Sequence, residues 1–174
     1  MTIKSATLDC FQTFAKENKW PHLSLHPPDK EANPFASWKV DHAALRVPDY
    51  DAAIVWYTEK LHFRLRKHVS FAGLTFAFLS PAGDDGFVFE LLAGPGADSR
   101  PVYKDLHASY KTGGWHHVCF RVHSVDAAIE QLKRLDVNIV SEPHDVVAMG
   151  LRVAFFADPW GNYFEVTQLL DPRR

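Results

Sequence analysis

The sequence predicts an α+β protein built from two βαβββ modules, and three observations carry that expectation. The stretch Trp115-His116-His117-Val118-Cys119-Phe120-Arg121-Val122 nearly repeats Val40-Asp41-His42-Ala43-Ala44-Leu45-Arg46-Val47, with His117 at the place of His42. The same shift carries Asp51-Ala52-Ala53-Ile54 onto Asp126-Ala127-Ala128-Ile129, Gly86 onto Gly161, and Phe89-Glu90 onto Phe164-Glu165. In each half, one run with helical spacing lies among short β-rich runs separated by turn residues. Two copies of so long a unit argue for a duplicated supersecondary structure, since solenoid arrays need about three or more repeats.

The elements follow in order. Leu8, Phe11, Phe14 and Ala15 have helical spacing, so a short amphipathic helix is expected near the start of residues 1–37; Pro21, Pro27, Pro28 and Pro34 then make a linker. The first module is expected over 38–96. It opens with a strand at 39–47, turns at Pro48-Asp49-Tyr50-Asp51, whose acids can cap a helix, and continues with Ile54, Tyr57, Thr58 and Leu61 on one helical face. Strands are expected near 63–70, 74–80 and 86–93. Residues 97–113 form a linker, with a helix expected near 101–110. The second module, 114–174, repeats the plan. It has a strand at 115–123, Ser124 as helix cap, a helix burying Val125, Ala128, Ile129, Leu132 and Leu135, and strands near 137–142, 150–157 and 162–169.

At 174 residues the chain suits two half-domains sharing one core, because neither half would bury much apolar surface alone. Lys and Arg number 19 against 21 Asp and Glu, a net charge of −2 with no basic block, which argues against a nucleic-acid partner. Two cysteines, Cys10 and Cys119, are too few for a disulfide framework, and the first residues lack a signal-peptide pattern, so a reducing, cytoplasmic setting is expected. No apolar run reaches the roughly 18 residues of a membrane span. Strand edges left open by half-modules, together with the long linker, lead us to expect a homodimer.

The chemistry is expected at the repeated acids and histidines. Neighbouring strands lie about 4.7–4.9 Å apart, so if the first and last strands of a module pair, their inward side chains can share an ion. His42, Glu90, His117 and Glu165 would then supply two imidazoles and two carboxylates to one divalent metal. Zn, Ni, Co or Mn suits such donors, as does Fe for oxygen chemistry, with bonds of about 2.0–2.2 Å in the zinc case. The plainer alternative is a set of polar core pairs copied by duplication. Burying carboxylates without compensation costs several kcal/mol each, which favours a cation. Strand alternation is expected to turn His116 away from His117 and to put Cys119 on the His117 face.

At these residues the chain resembles the vicinal oxygen chelate superfamily, which includes glyoxalase I, methylmalonyl-CoA epimerase, extradiol dioxygenases and the fosfomycin and bleomycin resistance proteins. The resemblance covers residues 38 to 170. It is carried by His42-x-x-Leu45-x-Val47, Glu90-Leu91-Leu92, Gly114-x-His116-His117-Val118-Cys119 and Asp158-Pro159-x-Gly161-Asn162-x-x-Glu165. It implies paired βαβββ modules curving round a metal, often in dimers. Resemblance to glyoxalase I implies ligands at all four sites and a substrate-binding arginine at Arg46. It also implies an asparagine, for a glutathione carboxylate, where this chain has Gly94. Resemblance to methylmalonyl-CoA epimerase implies a second base on the strand before Glu90, yet no acid occurs between Lys67 and Gly83. An extradiol dioxygenase would use two His and one Glu, with a further His and Tyr that are missing here. A metal-free binding module would lack the full ligand set.

The expected reaction is removal of a proton beside a carbonyl, with metal as Lewis acid and a ligand carboxylate as base, Glu165 first and Glu90 second. The partner is a small molecule, thiol-conjugated in the glyoxalase I-like lyase or isomerase reading; an epimerase is the alternative. Phe71, Phe76, Phe78, Phe87, Phe155 and Phe156 are expected as an apolar wall that excludes water.

Overall fold

The computed structural model describes residues 34–98 and 100–170. The helix expected near the start of the chain, most of the linker after it and the last four residues lie outside the described residues. The chain divides into two compact units, 1–40 and 41–174. In the first, the described part is 34–40 and opens with a turn at 34–37, after which Trp38 N donates to Phe35 O at 2.9 Å and the two rings meet edge-on at 4.7 Å.

The second unit carries both modules. The first module comprises β1 (Ala43–Val47), α1 (Tyr50–Lys60), β2 (Arg64–Phe71), β3 (Leu74–Ser80) and β4 (Phe89–Ala93). A four-residue helix, α2 (Leu106–Ser109), follows. The second module comprises β5 (His117–Arg121), α3 (Val125–Arg134), β6 (Asn138–Val146), a 3₁₀ turn (Val147–Met149), β7 (Leu151–Ala157) and β8 (Tyr163–Leu169). Each module folds into a four-stranded mixed sheet, in the orders β1-β4-β3-β2 and β5-β8-β7-β6. The first and last strands of each module are parallel neighbours.

Local chemistry sets the element ends. Asp49 caps α1 by accepting from Ala52 N at 2.8 Å, and Ser124 caps α3 by accepting from Ala127 N at 3.2 Å. Asp105 caps α2 through Ala108 N, so the linker helix starts at Leu106 rather than near 101, and three-residue turns from Tyr110 to Thr112 take over after Ser109. Strand β1 begins later than expected. Its partner β4 starts only at Phe89, after a turn in which Asp84 accepts from Gly86 N, so residues 39–42 have no strand to pair with among the described residues.

Both modules contribute to one core. Val47, Phe89 and Leu91 share it with Val125, Ile129, Phe156 and Phe164. Tyr57 of α1 is fully buried, with the rings of Phe63, Phe89, Trp160 and Phe164 5.8–6.4 Å away. Lys60 Nζ donates to Leu135 O at 2.8 Å, joining the ends of α1 and α3. Because Phe89 and Leu91 point into this core, pleat alternation turns Glu90 to the opposite face; Glu165, between Phe164 and Val166, turns the same way.

Candidate metal centre

The two modules place their histidine and glutamate in the same register. In the first sheet Ala44 lies opposite Glu90, and in the second Cys119 lies opposite Glu165. His117, two residues before Cys119 in β5, stands on the same face as its carboxylate, and His42, just ahead of β1, brings its ring to the matching place beside Glu90. His42 Nε2 is 3.2 Å from Glu90 Oε2, and His117 Nε2 is 3.1 Å from Glu165 Oε2.

These pairs fit a divalent cation by donor chemistry. Bonds of about 2.0–2.2 Å put neighbouring donors about 2.8–3.6 Å apart, for angles from octahedral to tetrahedral, and both pairs fall in that range. The four candidates meet two by two: among the described residues, no three His, Cys, Asp or Glu side chains cluster tightly enough to hold one ion. His42 and His117 do line one groove of about 310 Å³ between the edges of β1 and β5, with Arg100, Trp115 and Tyr163 around it.

Both histidines have a partner on the other ring nitrogen, a common arrangement for metal-ligating imidazoles. Asp41 Oδ2 lies 2.7 Å from His42 Nδ1. This hydrogen bond is the main reason that His42 titrates above its ordinary value of 6.5. His116 Nδ1 lies 2.8 Å from His117 Nδ1. The expectation that His116 turns away from His117 is therefore corrected: β5 begins at His117, so alternation does not govern the residue before it. Burial lowers the His116 pKa, and the neighbouring His117 and Arg100 lower it further. Burial pushes Glu165 upward, but hydrogen bonds with His117 and Cys119 outweigh it and leave the carboxyl below its ordinary 4.5. Glu165 is thus ionised at neutral pH. Cys119 shares the His117 face on the open edge of β5, and its thiol is pushed up to about 11, chiefly by burial among its neighbours.

The phenylalanines divide. Phe78 stands opposite Glu90 and Phe155 opposite Glu165 in the sheets, and their rings lie edge-on to His42 and His117 at 6.1 and 5.2 Å. Phe87 and Phe156 belong to the core instead, and Phe71 is 70% exposed.

Arg46 lines a second, larger cavity of about 530 Å³ between the 97–105 linker and the 157–161 turn, which contains none of the four candidate ligands. Its guanidinium donates to Leu92 O at 2.9 Å, to Pro95 O at 2.7 Å and to Val47 O. Arg100 lines both cavities. Gly94 adopts φ +149°, and a Cβ there would lie 2.8 Å from Leu74 Cδ2 and 3.2 Å from Gly73 O, so a side chain at this position would be strained and would have to displace Leu74.

Comparison with known proteins agrees with this architecture. The chain is 31% identical over 151 residues to the mitochondrial methylmalonyl-CoA epimerase of Bos taurus, covering 84% of this chain and 82% of that protein. It is 28% identical over 151 residues to a lactoylglutathione lyase of Pseudomonas putida, covering 76% and 86%. The structure of a glyoxalase I variant from Zea mays superposes with a TM-score of 0.58 at 29% identity, covering 75% of this chain and 44% of that one. Residues 39–166 match the family profile, and the duplicated module, the His–Glu register and this match together establish that the chain belongs to the Glyoxalase/Bleomycin resistance protein/Dioxygenase superfamily.

Proposed function

We propose that this protein is a divalent-metal-dependent enzyme that removes a proton from the carbon beside the carbonyl of a thiol-conjugated substrate. The observation that carries this reading is the pair of His–Glu contacts, one in each module, equal in register and nearly equal in length at 3.2 and 3.1 Å. His42 with Glu90 and His117 with Glu165 would each offer two donors, and the two pairs would have to approach each other for one ion to take all four. When bound, it supplies Lewis-acid polarisation of the substrate carbonyl. Glu165 takes the proton, a general-base contribution of about 10²–10⁴-fold. The electron pair left on carbon moves toward the carbonyl oxygen. Phe78 and Phe155, beside the two carboxylates, keep water away and strengthen the electrostatic interactions.

The relatives support two versions. In a lyase on a glutathione hemithioacetal, Glu165 returns the proton to the neighbouring carbon. In an epimerase on an acyl thioester, Glu165 keeps the proton it took while Glu90, starting as the acid, gives its own proton to the opposite face of the same carbon. Two features support the second. The arginine expected to bind glutathione gives its donors to backbone carbonyls, and the position expected to carry an asparagine is a glycine whose backbone conformation would strain one. Strand β3 carries no acid, which counts against the epimerase version unless Glu90 takes the role of second base.

We also propose a homodimer. Val69 and Phe71 on the edge strand β2 are 52% and 70% exposed, an apolar edge suited to a second copy. Sedimentation at micromolar concentration tests this, and a strict monomer counts against it.

The test of function is isotope exchange. The chain loaded with Zn, Ni, Co or Mn is incubated in D₂O with methylmalonyl-CoA and, separately, with a glutathione hemithioacetal. Deuterium should enter at the carbon beside the carbonyl, and Glu165→Gln should lose about 100-fold or more at matched metal occupancy. A chain that binds no ion, or whose Fe²⁺ form consumes oxygen with a catechol while exchanging no proton in either substrate, overturns the reading.

A further inference from the structure

The residue before each candidate histidine ligand holds that histidine's other ring nitrogen, and its type differs between the modules. Asp41 precedes His42, and at the equivalent place in the second copy of the repeat His116 precedes His117. A carboxylate only accepts, so Asp41 by itself puts a proton on His42 Nδ1. An imidazole nitrogen either donates or accepts, so His116 by itself leaves the tautomer of His117 undetermined.

The ambiguity is resolved one step further out. Ser109 Oγ, on α2, lies 2.5 Å from Leu106 O and 2.8 Å from His116 Nε2. A carbonyl oxygen accepts only, so the single hydroxyl proton goes to Leu106. The hydroxyl oxygen then accepts from His116 Nε2–H. A neutral ring protonated at Nε2 has a bare Nδ1, which accepts from His117 Nδ1–H at 2.8 Å. His117 Nε2 then faces Glu165 Oε2 at 3.1 Å, where a carboxylate that only accepts needs a proton or a cation between itself and the ring nitrogen. A divalent cation would take the place of that proton.

We infer that Ser109 and His116 are positioning residues that hold His117 as the Nδ1–H tautomer and so present its Nε2, with Glu165, to a divalent cation. Ser109 is 2% exposed. The His116 ring is flanked by Tyr110 at 5.2 Å and Tyr163 at 5.7 Å. The linker helix, outside the repeat, thus does for the second module what one carboxylate does for the first. This inference rests on the metal site proposed above.

The test uses the full chain with ¹⁵N-labelled histidine rings, metal-free and zinc-loaded, together with zinc affinity by competition with a chromophoric chelator. Wild-type protein should show His116 protonated on Nε2 in both forms, and His117 protonated on Nδ1 with Nε2 coordinated in the loaded form. Ser109→Ala and His116→Phe should weaken zinc binding about 10–100-fold. His116→Asn, whose amide oxygen is an acceptor close to the place of Nδ1, should recover most of that loss, which repair of packing alone would not do. Wild-type His116 protonated on Nδ1, or equal affinity across all variants, overturns the relay. If wild-type protein binds no zinc, the metal reading fails, while the His116 tautomer in the metal-free protein still decides the relay.

Discussion

The phenol of Tyr57 on α1 donates to the buried carboxylate of Asp158 at 2.8 Å, tying the first module to the turn that leads into the last strand of the second. Asp158 also accepts from Trp160 N, Asn162 N and Asn162 Nδ2 at 3.0, 2.7 and 2.7 Å. Tyr57→Phe leaves the ring packing intact and removes one donor from a buried acceptor, so it should cost about 1–3 kcal/mol. Asp158→Ala should cost more, because it strands the buried phenol and amide donors. Denaturant titration checks both, and a Tyr57→Phe midpoint equal to wild type would mean that the tie contributes nothing to stability.

Arg46 is expected to act on stability rather than on substrate. Its guanidinium joins β1 to β4 and the following turn through three carbonyls. Arg46→Ala should lower stability by about 1–3 kcal/mol while leaving KM for an acyl thioester unchanged. A large rise in KM with unchanged stability would return Arg46 to the substrate.

Gly94 separates the two substrate classes. Gly94→Asn, which adds the side chain implied by a glutathione substrate, meets Leu74 and Gly73 at a positive φ. It should destabilise the protein by about 1–3 kcal/mol without conferring activity on a glutathione hemithioacetal. Such activity, gained at wild-type stability, would show that the site accommodates that substrate.

His42 provides a pH signature. Its pKa is raised above 6.5, first by the hydrogen bond to Asp41. In metal-free protein, the stability from this contact is complete below the unfolded value and is lost as pH rises through the higher folded value. Metal binding runs the other way, because the proton must leave Nε2 first, and affinity should rise through the same interval. NMR titration of the metal-free chain should place His42 above 6.5 and show it moving down in Asp41→Asn. An unmoved midpoint would mean that Asp41 is not the cause.

The duplication, the module order, the caps Asp49 and Ser124 and the shared register of His42–Glu90 and His117–Glu165 were all legible in the sequence. These depend on strand alternation, local capping and a constant shift between the two copies, which duplication preserves. The matching of Phe78 with Phe155 was hidden, because Phe155 follows Phe78 at a longer interval than the one that separates the two histidines. The turn after β7 is shorter than its counterpart after β3, so only strand pairing reveals the equivalence. Asp41 and His116 stand at equivalent places in the repeat, a signal present in the sequence. Their use was decided by tertiary structure, because both precede their strands, where alternation sets no direction. The donors of Arg46, the close contacts at Gly94 and the Tyr57–Asp158 tie depend on segments brought together from distant parts of the chain, whereas Ser109 reaches His116 only seven residues on, through the fold of the short segment between α2 and β5. Local pattern contains no distance between such segments; packing of the two modules and the linker around a common core sets it.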